Sequence, residues 1–208
     1  MIHNKDHWYD GWFYDALIAP NQDRMFREIK NVIKPDSTII DVGCGTGRFS
    51  FSVADKVQKV VAIDLSKKNI DKANKTLSKN PNTKISFHHT KLSDLLSKKL
   101  HFDYAVMTYV IHEVNPDERI TLLKEMAAIA DKIIIGDYLV PINKGFWSVL
   151  NEIVEFLAGR EHYTNFKNFV ADDGLSGLTK KANLNIISDI KDTPITSQIF
   201  VLEHSNKF

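Results

Sequence analysis

Residues 39–66, IIDVGCGTGRFSFSVADKVQKVVAIDLS, constrain the fold of this chain more tightly than any other stretch. An apolar run ends at Val42 and passes directly into Gly43-Cys44-Gly45-Thr46-Gly47. An amphipathic segment follows, then a second apolar run, Val60-Val61-Ala62-Ile63, that ends in Asp64. The succession is strand, glycine-rich turn, helix, strand and acid, one nucleotide-binding βαβ half. Glycine lets such a turn bend sharply and approach a ligand, because no Cβ intervenes. The helix start beyond it offers backbone N–H groups without helical partners. A carboxylate at the tip of the second strand, about 20 residues on, can accept hydrogen bonds from ribose hydroxyls.

The spacing selects among nucleotides. A dinucleotide fingerprint reads G-x-G-x-x-G, whereas this chain has G-x-G-x-G and places Arg48 where the last glycine belongs. The DVGCGTG string resembles motif I of the class I S-adenosylmethionine-dependent methyltransferases, and AIDLS resembles their motif II. The resemblance implies that Gly43 and Gly45 line the methionine part of the cofactor. It implies that Asp41 orients the loop or the ligand amino group, that Asp64 takes the ribose diol, and that Leu65 packs on the adenine. S-adenosylmethionine is then the cofactor and S-adenosylhomocysteine the product. One departure stands out. The family commonly carries an acid after its third strand to hold the adenine amino group, and Lys91 occupies that place here. Lysine has only donors, so Asp94, or backbone around Leu92, would have to serve.

The remaining chain fits one domain of 208 residues. Residues 21–33 carry a helical stripe of Met25, Phe26, Ile29, Val32 and Ile33, broken by Pro35. Ser66 is a natural N-cap for a helix running to about Leu77. Strands are expected at 84–88, 101–108 and 132–140, with a helix over 116–130 that carries Pro116 in its first turn. Two further strand-like runs, 184–190 and 195–202, form a C-terminal hairpin. Alternating strands and helices specify an α/β, Rossmann-like doubly wound sheet. The family resemblance implies seven strands in the order 3-2-1-4-5-7-6 with strand 7 antiparallel. The expected organisation is an aromatic and helical cover (1–34), a cofactor-binding core (35–140), a helical lid inserted after strand 5 (141–180) and the hairpin (181–208). Trp8, Tyr9, Trp12, Phe13 and Tyr14, with Phe146, Trp147, Phe166 and Phe169, would make that cover partly apolar or simply pack it onto the core.

Charge and cysteine usage narrow the partners. The net charge is +1 with both signs interspersed, and paired lysines are scattered, so no nucleic-acid-tracking stripe is present. No apolar run is long enough to span a bilayer, and the first residues lack a signal-peptide core. A single cysteine, Cys44, rules out an intramolecular disulfide and reads as packing within the loop. These features suggest a cytoplasmic protein, monomer or homodimer. His88 and His89 point to opposite faces of a strand, and no other spacing suggests a metal site.

Methyl transfer asks mainly for positioning and exclusion of water, with a base only where the acceptor arrives protonated. Ligands of open α/β sheets lie beyond the carboxyl ends of the strands, which directs attention to Thr108-Tyr109-Val110-Ile111-His112-Glu113. By resemblance Thr108 borders the cofactor and Tyr109 faces the methyl group or the acceptor. His112, with an imidazole that ordinarily titrates at about pH 6.5, is either a base or a structural histidine, and His162 and Tyr163 are further candidates. The DNA amino-methylating signature after strand 4, with its proline pair, is missing. The expected activity is therefore methyl transfer to a small, partly apolar metabolite. The alternatives are a non-catalytic S-adenosylmethionine-binding or scaffold protein, a methyltransferase acting on protein or nucleic acid, and a nicotinamide-dependent oxidoreductase, which the glycine spacing opposes.

Overall fold

The computed structural model describes residues 19–141, 156, 159–191 and 196–205. The elements begin with α1 (Ala19–Val32), β1 (Thr38–Val42), α2 (Arg48–Val53), β2 (Lys59–Asp64), α3 (Lys67–Lys79), β3 (Ile85–His89) and α4 (Leu92–Leu96). They continue through β4 (Phe102–Thr108), α5 (Pro116–Ile129), β5 (Ala130–Tyr138), α6 (Arg160–Ala171), α7 (Gly174–Ala182), β6 (Leu184–Lys191) and β7 (Ser197–His204).

The seven strands form one sheet in the order β3-β2-β1-β4-β5-β7-β6. Pairs from β3 through β5 are parallel, while β7 runs antiparallel to both β5 and β6. This is the expected Rossmann-like sheet. Side chains alternate between its faces, so the buried apolar runs divide cleanly. Ile40, Ala105, Met107, Ile133 and Ile135 pack with Leu123 and Met126 of α5 and Leu175 and Leu178 of α7. Ile39, Tyr104, Val106 and Ile134 pack with Met25 and Ile29 of α1, Phe49 of α2 and Ile70 of α3. The order reverses between β1 and β4, which opens the switch-point crevice at their carboxyl ends.

Local chemistry explains the element boundaries. The Ser66 hydroxyl accepts from the Asn69 N–H and caps α3, as its sequence position suggests. Asn115 caps α5 in the same way, accepting from the Asp117 N–H ahead of Pro116. Strand β5 starts at Ala130, earlier than its apolar run implies, because Phe102 of β4 pairs there. Leu175 and Leu178 lie in the sheet core, so α7 is a layer helix packed against α5 and β6. The N-terminal aromatics, Phe146 and Trp147 lie outside the described residues.

Candidate active site

The glycine loop joins β1 to α2, and its three glycines all adopt positive φ, but for different reasons. A Cβ on Gly43 (φ 73°) would lie 2.6 Å from Val110, and one on Gly47 (φ 87°) 2.5 Å from Phe87. Gly45 (φ 55°) has no atom of the described residues within 4 Å of that position. Gly43 and Gly47 are thus required by neighbouring side chains, and Gly45 alone faces open space.

Two carboxylates hold this loop. Asp64, at the tip of β2, accepts the Gly45 N–H at 2.8 Å and the Ser66 N–H at 2.7 Å. One bond goes to each oxygen, and a carboxylate offers about four lone-pair sites, so acceptor capacity is left for ribose hydroxyls. Asp41 is buried on β1, where one oxygen accepts from the Ser50 hydroxyl at 2.5 Å. Its other oxygen, Oδ1, is buried without a hydrogen-bond partner among the described residues. Burial, and to a lesser degree the neighbouring Asp64, raise its pKa from 3.8 to about 7 against the Ser50 hydrogen bond. A buried, orphaned carboxylate oxygen beside an open glycine fits a cationic ligand group such as an α-ammonium. Cys44 is buried, and desolvation lifts its thiol well above the ordinary range, so it packs as a small apolar group.

Other expected cofactor contacts fall around this loop unevenly. Leu65 is 39% exposed beside Asp64. Leu92, by contrast, is buried in the core, which leaves only its backbone for a ligand. Lys91 sits immediately before α4, and the Asp94 carboxylate is occupied by the Lys91 N–H and the Thr90 hydroxyl. Both bonds go to Asp94 Oδ2, so its Oδ1 keeps acceptor capacity at this place. Histidines 88 and 89 diverge as their strand alternation demands, with His89 Nε2 3.0 Å from the Leu65 carbonyl.

Beyond Thr108 the chain turns through Tyr109, which adopts a left-handed φ of 54°. Its hydroxyl and that of Ser197 on β7 are 2.8 Å apart, and its ring stacks edge-on against Tyr138. Tyr138 in turn meets the His112 ring, with centroids 4.8 Å apart. His112 is 2% exposed, and its Nδ1 lies 2.7 Å from the fully buried Asp137 carboxylate. Its Nε2 faces Glu113 Oε1 at 3.7 Å, and His162 Nε2 reaches the same oxygen at 3.0 Å. No spacing in the sequence announces that Glu113 and His162 meet, or that Asp137 stands behind His112. The only local cue was the polar Asp137 interrupting an apolar strand.

Residues 39–132 match the family model described as a methyltransferase domain. The O-antigen chain terminator bifunctional methyltransferase/kinase WbdD of Escherichia coli is 25% identical over 139 residues, covering 64% of this chain and 19% of that protein. The chain thus spans about a fifth of the length of that relative. Among solved structures, magnesium protoporphyrin IX methyltransferase from Synechocystis PCC 6803 with bound S-adenosylmethionine superposes with a TM-score of 0.65 at 14% identity, covering 98% of this chain and 88% of its own. A Pyrococcus horikoshii OT3 protein gives 0.69 at 16% identity, covering 92% and 94%. Residues 39–132 thus match a methyltransferase-domain model, and the glycine loop, strand-tip acid and strand order are similar to those of the class I S-adenosylmethionine-dependent methyltransferases.

Proposed function

We propose that this chain transfers a methyl group from S-adenosylmethionine to a small, partly apolar metabolite. The observation that carries the reading is Asp64, pinned at the tip of β2 by the Gly45 and Ser66 N–H groups beside the open face of Gly45. When bound, S-adenosylmethionine supplies a sulfonium-activated methyl group for in-line displacement by the acceptor's lone pair. Asp41, Gly43, Gly45, Asp64, Leu65, Thr108 and the backbone of Leu92 are the groups we assign to holding it. Asp41 Oδ1 is the acceptor for its ammonium, and Asp64 for its ribose hydroxyls.

Tyr109 and His112 are assigned to the acceptor side. The Ser197 hydrogen bond and the Tyr138 ring hold Tyr109 in place, which limits motion of whatever packs against it. Asp137 fixes the His112 ring through its Nδ1 hydrogen, with Nε2 turned away from it. The aromatic layer of Tyr109, Tyr138 and Phe166 supports an acceptor with apolar surface. Balanced surface charge argues for a metabolite over a polyanion.

Calorimetric titration with S-adenosylmethionine, S-adenosylhomocysteine and NAD tests the cofactor. The first two should bind, and Asp64→Ala should weaken them at least tenfold, the loss expected from two charge-assisted hydrogen bonds. Binding of NAD alone would overturn the assignment. Labelled-methyl transfer into a metabolite extract, compared with protein and RNA fractions, then tests the acceptor class. Cofactor binding without turnover in every fraction would support the scaffold reading.

A further inference from the structure

A second group of ligating side chains lies one ring beyond Tyr109. His112 and Glu113 come from the turn after β4, and His162 from the first turn of α6. One nitrogen or oxygen from each lies within 4.8 Å of the other two. Glu113 Oε1 is 3.0 Å from His162 Nε2 and 3.7 Å from His112 Nε2. Tetrahedral ligands at bonds of ~2.0 Å stand ~3.3 Å apart, between those two values.

The chemistry of the set is specific. Asp137 accepts from His112 Nδ1 at 2.7 Å and from the backbone N–H groups of His112 and Tyr138. An ionised carboxylate only accepts, so His112 Nδ1 carries a hydrogen, and Nε2 is the nitrogen directed at Glu113. Two imidazoles converging on one carboxylate in a mostly buried place favour positive charge there, carried by a proton or a bound cation. Two imidazoles and one carboxylate are donors that first-row transition ions favour, and a carboxylate behind a ligating imidazole is a recurring support for such ions.

The backbone frame is already braced. Arg119 is fully buried and donates to the carbonyls of His112, Val114 and Asn165 at 3.0, 2.9 and 2.6 Å. The Asn165 side chain donates to the Glu113 carbonyl at 2.9 Å. Turn and helix are therefore held together whether or not an ion is present, which keeps the ligands poised.

We propose that His112 Nε2, the Glu113 carboxylate and His162 Nε2 bind one divalent first-row transition-metal ion of the zinc class. The Glu113 side chain is 31% exposed against 3% and 10% for the histidines, so the open coordination position faces outward beside it. Ion binding stands independently of methyl transfer. Its use there, to fasten α6 over the acceptor side and offer a position to an oxygen-bearing acceptor, rests on the function proposed above.

Chelator-treated protein, free of cofactor, is titrated with Co2+ by visible absorption and with Zn2+ by calorimetry. One equivalent should bind, Zn2+ should displace Co2+, and Mg2+, which demands oxygen ligands, should not compete. His162→Ala and Glu113→Gln should each weaken binding at least tenfold with unchanged circular dichroism, while His89→Ala and His101→Ala leave it intact. Asp137→Asn should cost roughly 10–100-fold. Absence of stoichiometric binding, or binding that survives both ligand variants, overturns the proposal and leaves a protonated histidine–carboxylate cluster. S-adenosylhomocysteine titration of the same samples separates the two readings, since either ligand can bind without the other.

Discussion

Three glycines that look equivalent in the string Gly43-Cys44-Gly45-Thr46-Gly47 carry different duties, and substitution should separate them. Gly43→Ala places a methyl 2.6 Å from Val110 at φ 73°, so it should lower unfolding free energy by roughly 2 kcal/mol or more. Gly45→Ala meets only the left-handed backbone cost of roughly 1 kcal/mol, yet its methyl enters the space left for the cofactor. Chemical denaturation and S-adenosylhomocysteine titration of both variants should show the first losing mainly stability and the second mainly affinity. Asp41 makes a residue-scale prediction in pH. Its carboxyl titrates at about 7, and a cationic ammonium at Oδ1 selects the ionised form. S-adenosylhomocysteine affinity should therefore rise as pH climbs through that value, by roughly tenfold from pH 6 to 8, the change in ionised fraction such a pKa dictates. Asp41→Asn should flatten the profile; a wild-type profile already flat would remove Asp41 from the ligand.

At the scale of elements, the junction between the turn after β4 and α6 depends on one side chain. Arg119 binds three carbonyls from two segments, with its guanidinium 5.7 Å from the Phe169 ring centroid. Lysine has no planar fork, so Arg119→Lys should leave buried carbonyls unpaired and cost at least about 2 kcal/mol, measured by urea denaturation. An unchanged midpoint would show that the turn and α6 are held by other contacts. Helix periodicity, caps and apolar strands were readable in advance: the Met25-Phe26-Ile29 stripe became α1, and Ser66 capped α3 as its position indicates. The short α4 carries too few turns to display a period, and nothing in its sequence distinguishes it from loop. Helix α7 was read only as part of the lid insertion and not as a layer of the core, because the sheet it covers is assembled from strands far away in the chain.

For the molecule as a whole, both apolar layers close on a single sheet, so ligand binding at the switch point should stabilise the fold as one body. S-adenosylhomocysteine at a hundred times its Kd should add about 2.7 kcal/mol and raise Tm by roughly 5–10 °C for a chain of this size, read by differential scanning calorimetry. No shift at saturating ligand would contradict binding to the folded state. The sequence by itself determined the βαβ half, the choice of G-x-G-x-G over a dinucleotide loop, the acids Asp41 and Asp64 at its edges, and, through resemblance, the strand order. Those properties are written in short windows, where alternation, turn chemistry and caps act between near neighbours. Tertiary structure alone decided that Gly43 and Gly47 answer to Val110 and Phe87, that Tyr109 meets Ser197, and that His112, Glu113, His162 and Asp137 share one cluster. Those contacts join segments far apart in the chain, and only the packing of helices onto the shared sheet brings their side chains within bonding distance.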